Sequence, residues 1–549
     1  MQPPNTILIV DNEFNVRDDL KDFLMIDGFQ VFAAGSADEA LEILKHNRIY
    51  LAIIDVRLKD DNDPHDMSGL DFAAQLAPEV AKIILTGFRT EDLIRQAMNG
   101  YKNQITPAYD VLAKQEGPEK LLDTVKDVFT RKINSQINLS LEITYDEGYS
   151  LSAMMAPLQE TIDFDLEESE VEELFRRLFR QESSIKIYYL PPGRGGASVA
   201  LVKPTYNGID GHPIVVKFGL ANHIDREVAA YREFLEPFAH RYSTVIIDQP
   251  ARTHHLAACK LLFVGHSVDK PRSFNTVYKD QTILDAMVQK IVHNIFVHSC
   301  GIWYKGKRRW QESDGPFSAF MNQQLSLHLD AERSELKTII NALVDDSSDN
   351  TFRRINPQTV AAKVDDTFIE LADPLYVLAH LGDCLPKPSF VSVTHGDLNG
   401  HNLFIDESGS PWLIDFYRTG WGPALRDAAE LESAIKFELL ESTNLQALFQ
   451  FEQTLLAPNT YSEQIVLPSH RETADFKRAL IAIQAIREAA RSIAETEHID
   501  EYYALLLFYA LKMITWQGMS AADRDRKSIR RRHALYSAAL ISTKLTAGH

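Results

Sequence analysis

The chain is short of cysteine, of basic charge and of long apolar runs, and each shortage removes a class of protein. Three cysteines in 549 residues, Cys259, Cys300 and Cys384, lie far apart. They form neither a metal-ligand spacing nor a disulfide framework, which favours a reducing, cytoplasmic setting. Lys and Arg number 57 against 77 Asp and Glu, a formal net charge of -20. Nucleic acid is therefore not the expected main partner, because phosphate backbones attract basic surfaces. The local exception is the run from Arg524 to His533, for which a solvated helix face is the expected explanation, ahead of an anionic-ligand site. No run of about eighteen apolar residues is present, so no membrane insertion is expected. Met1-Gln2-Pro3-Pro4-Asn5-Thr6 lacks a basic region followed by an apolar core, so no signal peptide is expected. Internal repeats and low-complexity tracts are missing too. What is left is an ordinary globular composition, 45% apolar and 24% charged, in a length that suits about two to four domains.

One stretch concentrates chemistry. Thr394-His395-Gly396-Asp397-Leu398-Asn399-Gly400-His401-Asn402-Leu403 is followed shortly by Leu413-Ile414-Asp415-Phe416. Two carboxylates and an amide are hard oxygen ligands, suited to Mg²⁺ carrying substrate phosphates. Phosphoryl transfer also needs a carboxylate that takes the proton of an attacking hydroxyl, and Asp397 is placed for it. The spacing H-G-D-x-x-x-x-N, then an apolar strand ending in Asp, resembles the catalytic and metal-binding motifs of the aminoglycoside phosphotransferase and choline kinase group. That group shares the protein-kinase-like fold. The resemblance implies that Asn402 and Asp415 hold Mg²⁺ on the phosphates of ATP, that His395 orients the loop, and that Asp427, in Arg426-Asp427-Ala428-Ala429-Glu430-Leu431, braces it.

Residues 6–130 alternate short apolar runs with helical patterns, the signature of a parallel sheet covered by helices. Thr6–Val10, Gln30–Ala33, Leu51–Ile54 and Lys82–Leu85 read as strands, and Val16–Met25 as a helix. Ser36-Ala37-Asp38-Glu39 opens a second helix with a capping box. Asp11, Asp55, Thr86 and Lys114 then converge on the carboxyl-end rim, where open parallel sheets gather their ligands. This resembles the receiver domain of two-component response regulators, a doubly wound, flavodoxin-like α/β fold. The resemblance implies that Asp55 is the phosphoacceptor, with Mg²⁺ near Asp11 and Asp55, Thr86 on the phosphoryl oxygens and Lys114 paired with the acyl phosphate. Asn12 replaces one acid of the usual acidic pair, so Mg²⁺ binding should weaken unless Glu13 compensates. Gln115 stands where a proline is familiar, and Val111 where an aromatic switch is normal, with Tyr109 close by.

Residues 131–184 read as a connector, in which Leu166 to Phe179 forms an amphipathic helix with acids early and arginines late. Three roles stay open for it: bridging the domains, pairing two protomers in a homodimer, or packing on the following lobe. Residues 185–549 are expected to be an α+β bilobal kinase-like domain, with an N-lobe over about 185–265 and a largely helical C-lobe over about 266–549. Between the strands Ile185–Leu190 and Val199–Val202 lies Pro191-Pro192-Gly193-Arg194-Gly195-Gly196; Gly193, Gly195 and Gly196 can let backbone amides approach phosphates. Lys217, in Pro213-Ile214-Val215-Val216-Lys217-Phe218, resembles the strand lysine that contacts nucleotide phosphates, and Glu227 is its expected partner. Leu261–Gly265 is expected to enter an interlobe hinge.

The expectation is a cytoplasmic response regulator, phosphorylated on Asp55 by a sensor histidine kinase, whose output is a small-molecule ATP/Mg²⁺-dependent phosphotransferase. The acceptor is not named by the sequence. The alternative, of another class, is a receiver-linked, nucleotide-binding pseudokinase that serves as a signalling scaffold.

Overall fold

The computed structural model describes residues 3–547 apart from 61–62, 64, 88–89, 100–107, 191–196, 239–243, 264–271, 330–333, 346–349, 383–384, 469–472 and 519–525. The chain forms two compact units. The first takes the described residues of 1–192, 196–225 and 247–260, the second those of 226–246 and 261–549.

The first unit opens with five strands, β1 (Thr6–Val10), β2 (Gln30–Ala34), β3 (Leu51–Asp55), β4 (Ala81–Thr86) and β5 (Asp110–Ala113). They pair in parallel in the order β2-β1-β3-β4-β5. Successive side chains of a strand face opposite ways, so each strand feeds two cores. Ile7, Ile9, Leu51 and Ile53 pack with Leu24 of α1 (Phe14–Ile26) and Leu121 and Val125 of α5 (Pro118–Asp127). Leu8, Val10, Ala52 and Ile54 pack instead with α2 (Ala37–His46), α3 (Ser68–Ala73) and α4 (Glu91–Asn99). The strand order reverses between β1 and β3, which puts Asp11 and Asp55 on either side of the switch point. The expected capping box of α2 is half present. Ser36 Oγ accepts from Glu39 N at 3.2 Å, but Glu39 Oε2 accepts from Gly35 N at 2.7 Å rather than from Ser36.

α5 runs on through a π-helical turn, Val128–Ile133. Next come β6 (Glu142–Tyr145), α6 (Leu151–Gln159) and α7 (Glu168–Leu178), followed by β7 (Ser184–Tyr189), β8 (Ser198–Tyr206), β9 (Ile209–Asp210) and β10 (Ile214–Leu220). β6, from the stretch read as connector, pairs in parallel with β7, Glu142 opposite Ser184. With β11 (Thr244–Arg252) and β12 (Leu256–Phe263) the sheet order is β11-β12-β10-β8-β7-β6, and β9 pairs with β8. The apolar face of α7 covers this sheet: Val171, Leu174, Phe175 and Leu178 share one core with Ile185, Ile187, Val202 and Phe218. α8 (Ala221–Phe234) follows β10 in the chain.

Among the described residues, the second unit is helical with three small sheets. Its strands are β13 (Arg272–Ser273), β14 (Arg308–Arg309), β15 (Phe352–Asn356), β16 (Thr359–Val364), β17 (Thr367–Ala372), β18 (Phe390–Thr394), β19 (Leu403–Ile405), β20 (Pro411–Leu413) and β21 (Gly420–Pro423). They form the sheets β13-β19-β20, β14-β18-β21 and the antiparallel meander β15-β16-β17. The helices are α9 (Phe274–Lys279), α10 (Asp285–Asn294), α11 (Gly301–Lys305), α12 (Phe317–Leu325), α13 (Glu335–Val344), α14 (Pro374–Leu381), α15 (Arg426–Ala434), α16 (Leu445–Leu456), α17 (Ala474–Ala494), α18 (Asp500–Thr515) and α19 (Lys527–Thr546). α18 is buried on nearly every side, the pattern of a helix wrapped by others.

The basic run before and into α19 is not a solvated face. Arg530 is buried, donates to Trp516 O at 2.9 Å and lies over the Trp516 ring. Arg531 donates to Ile514 O at 2.9 Å and Arg526 to Leu440 O at 2.5 Å. These arginines neutralise carbonyls left unpaired where helical segments end; Arg524 lies outside the described residues.

His533 turns inward to a buried charge cluster. Glu452 meets Lys436 Nζ at 2.8 Å, His533 Nε2 at 2.9 Å and Ser537 Oγ at 2.8 Å. Burial alone would raise the Glu452 carboxyl, but Lys436 and His533 outweigh it and hold it at about 2. With its folded pKa depressed, Glu452 stabilises the unit above its ordinary value of 4.5, and that contribution is lost as pH falls towards 2. Lys436→Met should leave the carboxylate buried and poorly compensated and cost about 3–5 kcal/mol, whereas pairing it with Glu452→Leu should recover most of the loss. Denaturant midpoints of the two variants check this; an unchanged midpoint in the single variant would contradict it.

Candidate functional site

The strand ends of the N-terminal sheet carry the first candidate site. Asp11 follows β1, Asp55 and Thr86 end β3 and β4, and all three are buried. Lys114 follows β5 and places Nζ 2.9 Å from Asp11 Oδ2 and 3.0 Å from Asp55 Oδ1. Glu13 is half-exposed and stands off at 3.8 Å from the same ammonium. Backbone groups fix the two acids: Asp11 Oδ1 accepts from Glu13 N at 2.9 Å, and Asp55 Oδ2 from Arg57 N at 2.8 Å. Gln115 Nε2 donates to Gly87 O at 2.9 Å, tying the Lys114 loop to the end of β4.

Gly69 lets α3 start against this rim. Its N–H bonds Val56 O at 2.9 Å, and a Cβ there would fall 1.8 Å from Asp55 O. Only glycine allows that approach of helix to strand end.

Burial lifts the Asp55 carboxyl to about 6, against the pull of Lys114. Burial would depress the Lys114 ammonium, but Asp11 and Asp55 hold it above its ordinary value. A raised carboxyl favours the folded state while protonated: that contribution is complete below the ordinary 3.8 and lost as pH rises through 6. Asp55→Asn is therefore expected to raise the Tm of this domain at about pH 7.5 in metal-free buffer and to leave it unchanged near about pH 4. The gain is bounded by about 3 kcal/mol. Thermal melts at both pH values test it, and a Tm at pH ~7.5 no higher than wild type would count against the buried carboxylate.

The second unit carries the other candidate site on the loop between β18 and β19. Asp397 is half-buried, flanked by the buried Gly396 and Leu398. Its carboxylate Oδ2 accepts from Asn402 Nδ2 at 3.0 Å, and its carbonyl accepts from the same amide at 2.9 Å. Asn402 is fully buried, and its Oδ1 has no hydrogen-bond partner among the described residues.

The loop hangs on α15. Asp427 Oδ2 accepts from His395 N and Oδ1 from Gly396 N, both at 2.9 Å, and Tyr304 Oη donates to Oδ2 at 3.0 Å. One turn on, Glu430 Oε2 accepts from Leu398 N at 3.0 Å. Arg426, also buried, donates to Gly396 O at 2.7 Å. Three backbone N–H groups around Asp397 are thus fixed by two carboxylates of one helix face. Gly396 has φ +77°, and a Cβ on it would lie 2.4 Å from Arg418 O, so any side chain there forces the loop apart.

The His395 ring sets Nε2 3.0 Å from Ile414 O, and Asn402 O accepts from Ile414 N at 3.0 Å, which joins the loop to the strand leading to Asp415. Asp415 itself has φ +70°, a left-handed backbone. The next residue, Phe416, donates its N–H to Glu227 Oε1 at 3.1 Å.

A family model described as the response regulator receiver domain matches residues 7–126. Residues 7–126 are a receiver domain. A receiver domain protein from Methanospirillum hungatei JF-1 is 26% identical, covering 23% of this chain and 94% of its own, with a TM-score of 0.20. A response regulator from Thermotoga maritima is 25% identical over 23% of this chain and 98% of its own, with a TM-score of 0.20. Among curated proteins, the alginate biosynthesis transcriptional regulatory protein AlgB of Pseudomonas aeruginosa is 29% identical over 162 residues, 28% of this chain and 33% of that protein. The chain thus spans about a third of the length of that curated relative. A second family model, described as ternary complex associated domain 9, matches residues 359–515.

The structure therefore brings Asp11, Asp55 and Lys114 of the receiver into contact, and does the same for Asp397 with Asn402 and for His395 with Asp427 in the second unit. Lys217 is buried on β10 in the first unit, whereas Glu227 belongs to the second. Gly193, Gly195 and Gly196 lie outside the described residues, as do Val264 and Gly265 of the expected hinge. Val111 is buried in the receiver, and the Tyr109 hydroxyl is held by Asp127 Oδ2 at 2.5 Å. Glu430, Arg426 and Gly69 were not singled out by sequence. The spacing of Glu430, three residues after Asp427, was the available signal for one of them.

Among the described residues, no three His, Cys, Asp or Glu side chains gather as a metal cluster. Magnesium needs less than that: one or two carboxylates, with water and substrate phosphates completing its shell. The buried Asp11 and Asp55 fit that requirement on the receiver rim. In the second unit the orphaned Asn402 Oδ1, with Asp415 as its anionic companion in sequence, fits it too.

Proposed function

We propose that this chain is a two-component response regulator, phosphorylated on Asp55, whose output is an ATP/Mg²⁺-dependent phosphotransferase acting on a hydroxyl-bearing substrate. A receiver domain implies a sensor histidine kinase as partner. On the rim, the Asp55 carboxylate is the nucleophile, and Lys114 is already placed to offset the charge of the incoming phosphoryl group. Mg²⁺ on Asp11 and Asp55 would add further neutralisation there.

The observation that carries the output reading is the Asp397–Asn402 pair. A half-buried carboxylate sits in a loop whose backbone is fixed on both sides, and the neighbouring amide keeps a buried oxygen unpaired among the described residues. Asp397 in this role takes the proton of the acceptor hydroxyl, and Asn402 and Asp415 would hold Mg²⁺, which neutralises nucleotide phosphates. Asp427 and Glu430 keep the base in place, so that catalysis draws on positioning. Lys217 enters this reading through the resemblance of its strand. Incubation of the full chain with γ-labelled ATP and a metabolite extract tests it. A labelled product that requires both the chain and Mg²⁺ supports the phosphotransferase, and its absence across extracts and acceptors counts against it.

A second reading is favoured by the match of residues 359–515 to a ternary complex associated domain. On that reading the output binds partners and transfers nothing, a receiver-linked scaffold. Nucleotide binding without turnover, together with partner capture that depends on Asp55, would select it. Transcriptional regulation, the role in the name of the Pseudomonas relative, is not carried over, since that match covers 28% of this chain.

A further inference from the structure

The receiver is fastened to the rest of its unit at the end opposite Asp55. Parallel strands gather Asp11, Asp55 and Thr86 at their carboxyl ends; Arg48 and Tyr50 precede the amino end of β3 and lie against α7. Arg48 Nη2 is 2.7 Å from Glu167 Oε2, Arg48 Nη1 is 3.5 Å from Glu173 Oε2, and Arg48 also donates to Ser169 Oγ at 2.5 Å. Tyr50 Oη donates to Glu173 Oε2 at 2.6 Å, while Arg177 of the same helix bonds Glu173 Oε1 at 2.7 Å. The Glu173 side chain is 1% exposed, so both of its oxygens are committed.

Glu170, one turn before Glu173, faces a different element. Glu170 accepts from Thr253 Oγ1 at 2.8 Å and from His255 N at 2.7 Å, in the turn between β11 and β12. Glu170 and Glu173, three residues apart, are neighbours on one side of the helix, and Glu167 stands at its N-cap. The other side is the apolar stripe already packed on the β6–β12 sheet. α7 is therefore bound to the sheet by apolar burial and to the receiver by buried charge.

We propose that α7 is the coupling helix of this protein, with Glu173 as the joint through which the phosphorylation state of Asp55 reaches the β6–β12 sheet. β3 connects the two ends. Its five residues are all buried, and it spans about 16 Å from the joint to the phosphoacceptor. A close-packed strand transmits displacement rather than absorbing it, and in this proposal the joint switches between held and released, since a desolvated carboxylate tolerates no half-paired state. The route needs no aromatic rotation, which suits a receiver with Val111 at the usual position and the Tyr109 hydroxyl tied to Asp127. It rests on Asp55 as phosphoacceptor and not on the chemistry of the output.

Amide hydrogen exchange on the full chain tests this, with beryllofluoride and Mg²⁺ supplied to imitate the acyl phosphate. In the wild type, exchange should slow at residues 11–13 and 55–57 and change by roughly threefold or more across α7 and the β11–β12 turn. Arg48→Ala and, separately, Tyr50→Phe should keep the rim response and lose the α7 response. Tyr50→Phe removes one hydroxyl only and so guards against a folding defect in the arginine variant. A wild type whose rim slows while α7 stays unchanged would overturn the proposal, as would variants that respond like the wild type. A rim that does not slow at all removes the Asp55 assignment, and the proposal with it.

Discussion

Asp55→Asn is expected to abolish phosphoryl uptake by the receiver. Incubated with a labelled small-molecule phosphodonor and Mg²⁺, wild type should become labelled on a carboxylate, in an acyl-phosphate bond cleaved by base and by hydroxylamine, and the variant should stay unlabelled. The reason is chemical before it is structural. An amide oxygen is a poor nucleophile, and it brings no negative charge to bind the cation that offsets the phosphoryl group. The loss should exceed roughly a hundredfold, since nucleophile and metal ligand disappear together. Geometry makes the assignment specific. Asp11 lies on the same ammonium at a similar distance, yet Asp55 ends the central strand β3, and its carboxyl is lifted to about 6 by burial. Label retained at wild-type level in the asparagine variant would move the phosphoacceptor elsewhere.

The second large effect belongs to Asp397. Asp397→Asn should lower ATP-dependent transfer to a hydroxyl acceptor by about 10²–10⁴-fold, the usual worth of a positioned general base. Nucleotide affinity should change little, because the substitution is nearly isosteric and the loop stays pinned by Asp427 and Glu430. The split is informative: turnover lost with binding kept assigns a chemical role, whereas binding lost in parallel would mean that the loop had collapsed. Wild-type turnover in the variant would remove Asp397 from the reaction.

The receiver was legible because fully buried parallel strands leave continuous apolar runs, such as Ile7–Val10 and Ile53–Ile54, with a polar residue waiting at each carboxyl end. β6 was not. Glu142-Ile143-Thr144-Tyr145 is a short, half-exposed edge strand, and nothing local marks its pairing with β7. The meander β15–β17 was missed for a related reason: Phe352–Asn356, Thr359–Val364 and Thr367–Ala372 show no clean period-two alternation and lie in a stretch expected to be helical. The basic run into α19 was misread because arginines facing water and arginines facing helix-end carbonyls have the same composition; only the end of α18 and the carbonyl of Leu440 decide between them. In the H-G-D loop the motif pointed to Asp397, Asn402 and Asp427. Glu430 was hidden because a helical Glu is ordinarily a surface residue.

The pairing of β6 with β7 bears on how this protein can be divided. Cutting the chain at residue 185, where the sequence suggests a new domain, would strip β7 of its neighbour and bare a row of backbone donors and acceptors. Such an edge recruits strands from other molecules. A fragment begun ahead of Asn138 keeps the edge covered, and with it Asn138 Nδ2 on the carbonyls of Phe179 and Glu182. Solubility of the excised output should therefore turn on four residues that look, in sequence, like linker.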